Sequence, residues 1–435
     1  MVRTEVGTKC EKCAKAVAPK VTLATSRSRV PWIIGIVGAV IVLGAIAALS
    51  LRGGGGSTKA PPVSTLGSWA KAPSLANIRG TASVVQLRNG QVLAAGGGVG
   101  AVPVSATELY DPAAQAWKPS GALNQARRGA NAVVLADGRV LIAGGVSGPN
   151  LLSSAELYDP NAGTWTPTGS MSTPRLDSTM TLLPNGDVLV AGGTTTGGVQ
   201  GTGGGQTISP VASAEVFHPA SGTWTATKPM GDSRFEATAT SLSDGRVLIV
   251  GGFGGTPTQS PSGPQFAALK TAEIFDPAVG AFTGAGRMTE GRALQVAARL
   301  GNGQVLEVGG LGGPTGEVTL ATAERFDPTT GGWTEVAPMV AQGRDGATIA
   351  SLVNGNVLVT GGETVDAGAR HSLATAAVYD PGKNVWHPAG SMSCPRSGAG
   401  SAVLADGSAL VIGGDTAFPG QPPVAQGCVD RYVPS

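Results

Sequence analysis

One stretch, Arg127 to Trp165, recurs along the whole chain beyond residue 66, and this recurrence limits the possible folds more than any other feature. Each copy opens on an arginine: Arg79, Arg127, Arg175, Arg234, Arg292, Arg344 and Arg396. A Gly-Gly pair begins 17 residues after every one of them, at Gly96, Gly144, Gly192, Gly251, Gly309, Gly361 and Gly413. Between arginine and glycines lies Asn-Gly or Asp-Gly in all seven copies, from Asn89-Gly90 to Asp406-Gly407. That dipeptide predicts a tight two-residue hairpin of type I′. The flanking runs, such as Val133-Val134-Leu135 and Val140-Leu141-Ile142, are short, β-branched and apolar on both faces. Strands of that kind lie between neighbouring sheets.

A third strand carries Glu-x-Tyr/Phe-Asp-Pro, with Glu108, Glu156, Glu215, Glu273 and Glu324 each nine residues before an aromatic of a fourth strand. Proline has no N–H for the ladder and ends the third strand. Four strands per copy predict an all-β chain built as a β-propeller. The seventh copy ends at Asp430-Arg431-Tyr432-Val433-Pro434 without its tryptophan, and Trp69 stands ten residues before Arg79, where the other copies place theirs. The expectation is a seven-bladed propeller closed by a blade shared between the two chain ends, which removes two exposed sheet edges.

The Gly-Gly pair, the Tyr-Asp-Pro analogue and the spaced tryptophan together resemble the kelch repeat family, over all of residues 67–435. The resemblance implies an architecture similar to the central domain of galactose oxidase-like copper radical oxidases. Those enzymes need tyrosine and histidine ligands and a cysteine-modified tyrosine. Here Tyr110, Tyr158, Tyr379 and Tyr432 all occupy the structural slot of the repeat, and His218, His371 and His387 are scattered. The copper-site residues are missing, so the reading is against an enzyme, with a hydrolase, lyase or oxidase as the minor alternative.

Ahead of the repeats the chain is organised differently. Residues 1–29 are basic, and residues 30–51 carry no charge, which is long enough for one transmembrane helix. The excess of basic residues before the span predicts a cytoplasmic N-terminus and an extracytoplasmic propeller on an uncleaved signal anchor. Cleavage after Ala45-Ile46-Ala47, giving a secreted protein, is the alternative. Residues 52–66 read as a Gly/Pro-rich linker. Cys10 and Cys13 make half of a tetrahedral zinc site, which a second chain would have to complete; no other cofactor is expected. Cys394 and Cys428 are candidates for a disulfide across the closing blade, or two free thiols. The formal net charge of +2 gives no reason to expect a nucleic-acid partner.

Length variation is confined to the connection between second and third strands, which marks one face of the disc for binding a protein or glycan outside the cell. That face would present Phe253, Phe266, Lys270 and His371. The seven arginines, at the start of the inner strands, are expected either as an anion-binding crown at the channel mouth or as periodic ion pairs with the glutamates. Asp177, Glu236 and Asp345, close behind three of them, would quench a crown. Ala377 replaces the glutamate of the sixth copy and leaves an arginine without its acid. Glu307 enters a strand whose register neighbours are all apolar, so it should be a partnered structural acid or one with a raised pKa.

Overall fold

A computed structural model describes residues 66–196, 208–260, 263–314, 316–340, 342–366, 368–418 and 423–435. The chain divides after Ala60, and all of these residues belong to the unit Pro61–Ser435. The expected 30–51 span, the basic segment, the linker and the Cys10–Cys13 pair lie outside them. No helix among the described residues is long and apolar enough to cross a membrane.

The described residues form seven four-stranded antiparallel sheets. In each, chain order equals spatial order except in the last, where Gly67–Ala72 adds to Val429–Pro434, Ala409–Ile412 and Gly400–Val403. Trp69 stands opposite Tyr432 in that pairing, so the N-terminal strand completes the sheet of the C-terminal repeat. The second strand of every sheet, for example Val140–Ala143 or Ala409–Ile412, is buried along its whole length. Its alternate side chains pack into the cores on either side, which explains why these runs show no polar alternation.

The hairpin between first and second strands differs in detail from the type I′ expectation. Only the glycine takes a positive φ, between 83° and 91° across the seven copies. The Gly90 N–H donates to Leu87 O at 2.9 Å and the Leu87 N–H to Gln91 O at 2.8 Å, which is a three-residue type I turn closed by a glycine bulge. The Asn or Asp before the glycine serves another purpose. Its side-chain oxygen accepts the N–H two residues on at 3.0–3.1 Å in all seven copies.

The Gly-Gly pair joins one sheet to the next. Both glycines have positive φ, and a Cβ on Gly144 would come within 2.7 Å of the Arg175 carbonyl. The second glycine donates its N–H to the carbonyl of the next repeat's arginine, as in Gly145 to Arg175 at 2.8 Å. The series returns to its start with Gly414 to Arg79 at 3.3 Å, and the first strands of successive sheets touch one another all the way round. The sheets therefore close into a ring. At the outer edge, Tyr or Phe of the third strand packs at a tilt of 41–55° against the fourth-strand aromatic, with centroids 4.9–5.2 Å apart. The indole N–H then reaches back to the preceding sheet, as Trp333 does to Ala285 O at 2.9 Å.

Candidate functional site

The seven arginines do not line the channel mouth. Each is 0–1% exposed, so no guanidinium is open to an incoming anion. The fixed 17-residue spacing has a direct cause: Nη1 of each arginine donates to the carbonyl of the first glycine of its own repeat at 2.8–3.4 Å. Nη2 of Arg79, Arg127, Arg175, Arg234 and Arg292 meets the repeat glutamate at 2.6–3.1 Å, and that of Arg396 meets Asp430. The glutamates also accept two backbone N–H groups from the turn before the arginine at 2.7–3.3 Å. For Glu156, burial pushes the pKa up, but hydrogen bonds from Asn124, Arg127 and Gln125 outweigh it and hold the carboxyl below its ordinary value. The crown is replaced by buried ion pairs that tie the second and third strands together.

Arg344 is the exception. Opposite Ala377 it bonds, among the described residues, only Gly361 O, Thr375 O and Thr375 Oγ1, and burial lowers its pKa to about 10. Phe253 and Phe266 are also not surface anchors: both are buried with Phe235 and Leu311 in a cluster of their own. Lys270 is exposed, its Nζ donating to Thr289 O at 2.7 Å, and His371 stands half-buried opposite Thr364 in a hairpin. Cys394 and Cys428 are joined in a disulfide with Cα atoms 6.6 Å apart, beside Arg396 of the closing sheet.

At the axis, on the same face as the Gly-Gly pairs, lies a chamber of about 740 Å3. Its throat is built from the residue two places after each repeat arginine: Thr81, Gly129, Asp177, Glu236, Leu294, Gly346 and Gly398, all lining it. All seven have a positive φ between 48° and 62°, a conformation costing a side-chain-bearing residue about 1 kcal/mol or more. Backbone bonds run round the axis through them: Glu236 N to Asp177 O at 2.9 Å, Leu294 to Glu236 at 3.1 Å, Gly346 to Leu294 at 3.0 Å and Gly398 to Gly346 at 2.9 Å. Asp345, Glu363 and Asp415 add three more carboxyls to the lining, and Arg128 and Arg370 are its two cations. Arg370 is paired with both Asp345 and Glu363, and Ser397 Oγ donates to Glu363 Oε1 at 2.7 Å.

Burial raises Asp177, Glu236, Asp345 and Asp415. It lifts Asp177 to about 6 against the pull of Arg128, and Asp345 to about 7 against the pull of Arg370. Glu236 is pushed well above the ordinary carboxyl value, first by burial and then by Asp177 and Asp345. Asp177 and Glu236 keep part of their surface open, toward the chamber, although protein surrounds them on the other sides.

A collar of two-stranded hairpins stands around the mouth, formed by the connections of variable length. Gly98–Val99 pairs with Val102–Pro103, Leu311–Gly312 with Val318–Thr319, Glu363–Asp366 with Ala369–Ser372, and Asp415–Thr416 with Val424–Ala425. Neighbouring hairpins touch, and the last touches the first. The 253–270 insertion is one of them, Phe253–Ser260 against Gly263–Ala268, while residues 197–207 of the 194–212 insertion lie outside the described residues.

A closed ring of four-stranded sheets with an axial chamber defines a β-propeller. Residues 127–172 and 292–340 match the family model of the kelch motif, so the chain carries kelch motifs. It is 30% identical over 35% of its length to a kelch repeat-containing protein of Caenorhabditis elegans, covering 24% of that protein. A kelch repeat and BTB domain-containing protein of the same organism is 29% identical over 35% of the chain and 24% of its own length. Kelch-like protein 25 of Xenopus tropicalis is 32% identical over 23% of the chain and 16% of its own length. The chain thus spans a quarter or less of the length of these curated relatives. A solved structure of a fungal alcohol oxidase of the AA5 family, in complex with copper, aligns with a TM-score of 0.65 at 17% identity, over 85% of this chain and 76% of that one. That likeness is one of fold.

The residues present do not fit a copper centre. The chamber lining has no histidine, tyrosine or cysteine. The four tyrosines are 0–1% exposed and packed against tryptophans. His218 lies at the opposite face, between Asp187 at 3.0 Å and Thr225 at 2.8 Å. Among the described residues no group of three or more His, Cys, Asp or Glu is placed to hold a metal.

Proposed function

We propose that this chain is a membrane-tethered, seven-bladed kelch propeller, displayed outside the cytoplasm, that binds a partner protein through its collar face. The carrying observation is the apolar rim of the collar. Val102 is 65% exposed and Phe418 51%, and Val99, Val318, Val365 and Val424 are likewise open at the hairpins. Bulky apolar side chains grouped on one rim around a charged mouth are what a protein interface requires. The disulfide of the closing sheet suits an oxidising compartment, in line with the apolar 30–51 span and the basic residues before it. All seven arginines are 0–1% exposed and six of them pair with Glu or Asp, so the alternative of a glycan or anion receptor working through them has no open guanidinium to work with. Cys10 and Cys13 of two tethered chains would together supply four zinc ligands, and zinc content of the purified full chain tests this.

The test of the partner reading is site-specific photocrosslinking in cells. A photoreactive residue at Val102 or Phe418 should give discrete adducts, whereas one at Val279 or Val353, exposed on the opposite face, should give none. Equal adduct patterns from both faces would overturn the assignment of the collar. Extraction of the chain by alkaline carbonate would likewise overturn the tether.

A further inference from the structure

The axial chamber holds more acid than its cations can balance. Arg370 is committed to Asp345 and Glu363, and Nη1 of Arg128 is bonded to Gly100 O at 3.0 Å. Asp177 and Glu236 make no side-chain hydrogen bond among the described residues, although they are adjacent in the ring and repel one another. Asp345 is 2% exposed, and its Oδ2 has no partner among the described residues. Unpaired buried carboxyls are costly, and two of them stand on backbone in the left-handed region, which adds to the cost. Flanking this charge the wall is apolar, with Leu176 next to Asp177, Leu294 next to Glu236 in the ring, and Leu311. An acid cluster beside an aliphatic wall, in a space of this size, matches a cation carried on a short hydrocarbon stem.

We propose that the chamber binds a primary alkylammonium group, with Asp177 and Glu236 accepting its N–H donors, Asp345 adding to the field, and the leucines covering its stem. A compact ammonium has three donors for several acceptors and no need of a planar fork. The group has two sources of the same chemistry, a free amine or a lysine side chain of the partner. Only the lysine source rests on the partner reading above. Because a bound cation favours the ionised acids, binding must release protons near neutrality, and it must weaken as the acids protonate. Glu363, Asp415, Arg128 and Arg370 share the lining, and the same titration reads their contributions.

The experiment is isothermal titration of the full chain in mild detergent with n-butylammonium, n-butanol, a Gly-Lys-Gly peptide and its Nε-acetyl form. Saturable binding of n-butylammonium is expected at about pH 8, weakened by about tenfold or more at about pH 5, with heats that depend on the buffer's ionisation enthalpy. Butanol and the acetylated peptide should not bind. D177N and E236Q should each weaken butylammonium by about tenfold, the ordinary cost of one charge-assisted hydrogen bond. Both variants also remove a raised acid, so both should melt no lower than the parent at about pH 8, which distinguishes a lost site from a lost fold. Binding by butylammonium and not by the lysine peptide assigns the site to a free amine; binding by both assigns it to either source. Absence of butylammonium binding, equal binding of butanol, or binding indifferent to both substitutions overturns the proposal. None of these results bears on the collar crosslinks, so the partner reading stands or falls separately.

Discussion

Replacing Glu307 by glutamine should stabilise the protein, and increasingly so as the pH rises. Glu307 is 0% exposed in the second strand Val305–Val308, between Ala297 and Glu324 in register. Thr238 Oγ1 from the neighbouring sheet lies 2.9 and 3.0 Å from its two oxygens. A single hydroxyl proton cannot solvate a carboxylate, and burial raises the pKa to about 8 despite Thr238 and the more distant Arg292. Burial therefore favours the neutral carboxylic acid over the ionised form. Its O–H proton can satisfy Gln295 or Thr238; Gln295 donates to Val250 O at 2.9 Å, while its own Oε1 has no partner among the described residues. Moving a carboxyl from 4.5 to about 8, at about 1.36 kcal/mol per decade, makes the ionised form cost about 5 kcal/mol.

The sign follows from linkage. The folded pKa is raised, so the associated stability is fully present below the unfolded value and lost as pH rises through the folded one. Urea unfolding of parent and E307Q across about pH 5 to 9 isolates this group, because every other titration cancels in the difference. The difference should be small at the acid end and then grow by about 1.4 kcal/mol per pH unit, until it levels off above about pH 8. A difference that stays flat across this range would show that Glu307 is ionised and partnered, and would refute the burial argument.

Three further outcomes are expected from thermal or urea unfolding. E156A should lower stability by about 3–5 kcal/mol by leaving Arg127 charged and unpaired in the core, and a double replacement of both residues by apolar ones should recover much of that loss. A377E should supply Arg344 with the glutamate present in five other repeats and add about 1.5–3 kcal/mol, so a destabilised A377E would mean the position no longer accommodates the side chain. C394S should cost about 4 kcal/mol from the 34-residue separation that the disulfide spans, and it should abolish any further loss on adding reductant.

How far residue order alone could lead depends on whether the partner of a group is local. The hairpins were legible because Asn or Asp at residue 89, 137 or 406 bonds an N–H only two places on, and a glycine next to it takes the positive φ. The turn type is not legible in the same way, since Asn-Gly suits two hairpin geometries and the strand register chooses between them. The closing strand was legible too, because the missing tryptophan at one end and Trp69 at the other are complementary parts of one unit. The burial of Phe253 and Phe266 is not legible, because a long insertion has the composition of a surface loop until its hairpin folds back on Phe235.

The repeat determined by itself that the chain forms four-stranded sheets, that they are equivalent, and that the first and last segments share one. These follow from local turn chemistry and from a period, and both are properties of residue order. Only the tertiary structure decided what the arginines and acids do. An arginine that begins an inner strand could point to the channel or to its own sheet, and it is the first-glycine carbonyl and the repeat glutamate that draw it inside. The residue two places further on could equally have been a solvated turn. Closure of the ring bonds those backbones to one another around the axis, and so brings Asp177 and Glu236, 59 residues apart in sequence, to one charged chamber. Charge repulsion and desolvation depend on distance in space, and distance in space is set by the closure of the ring.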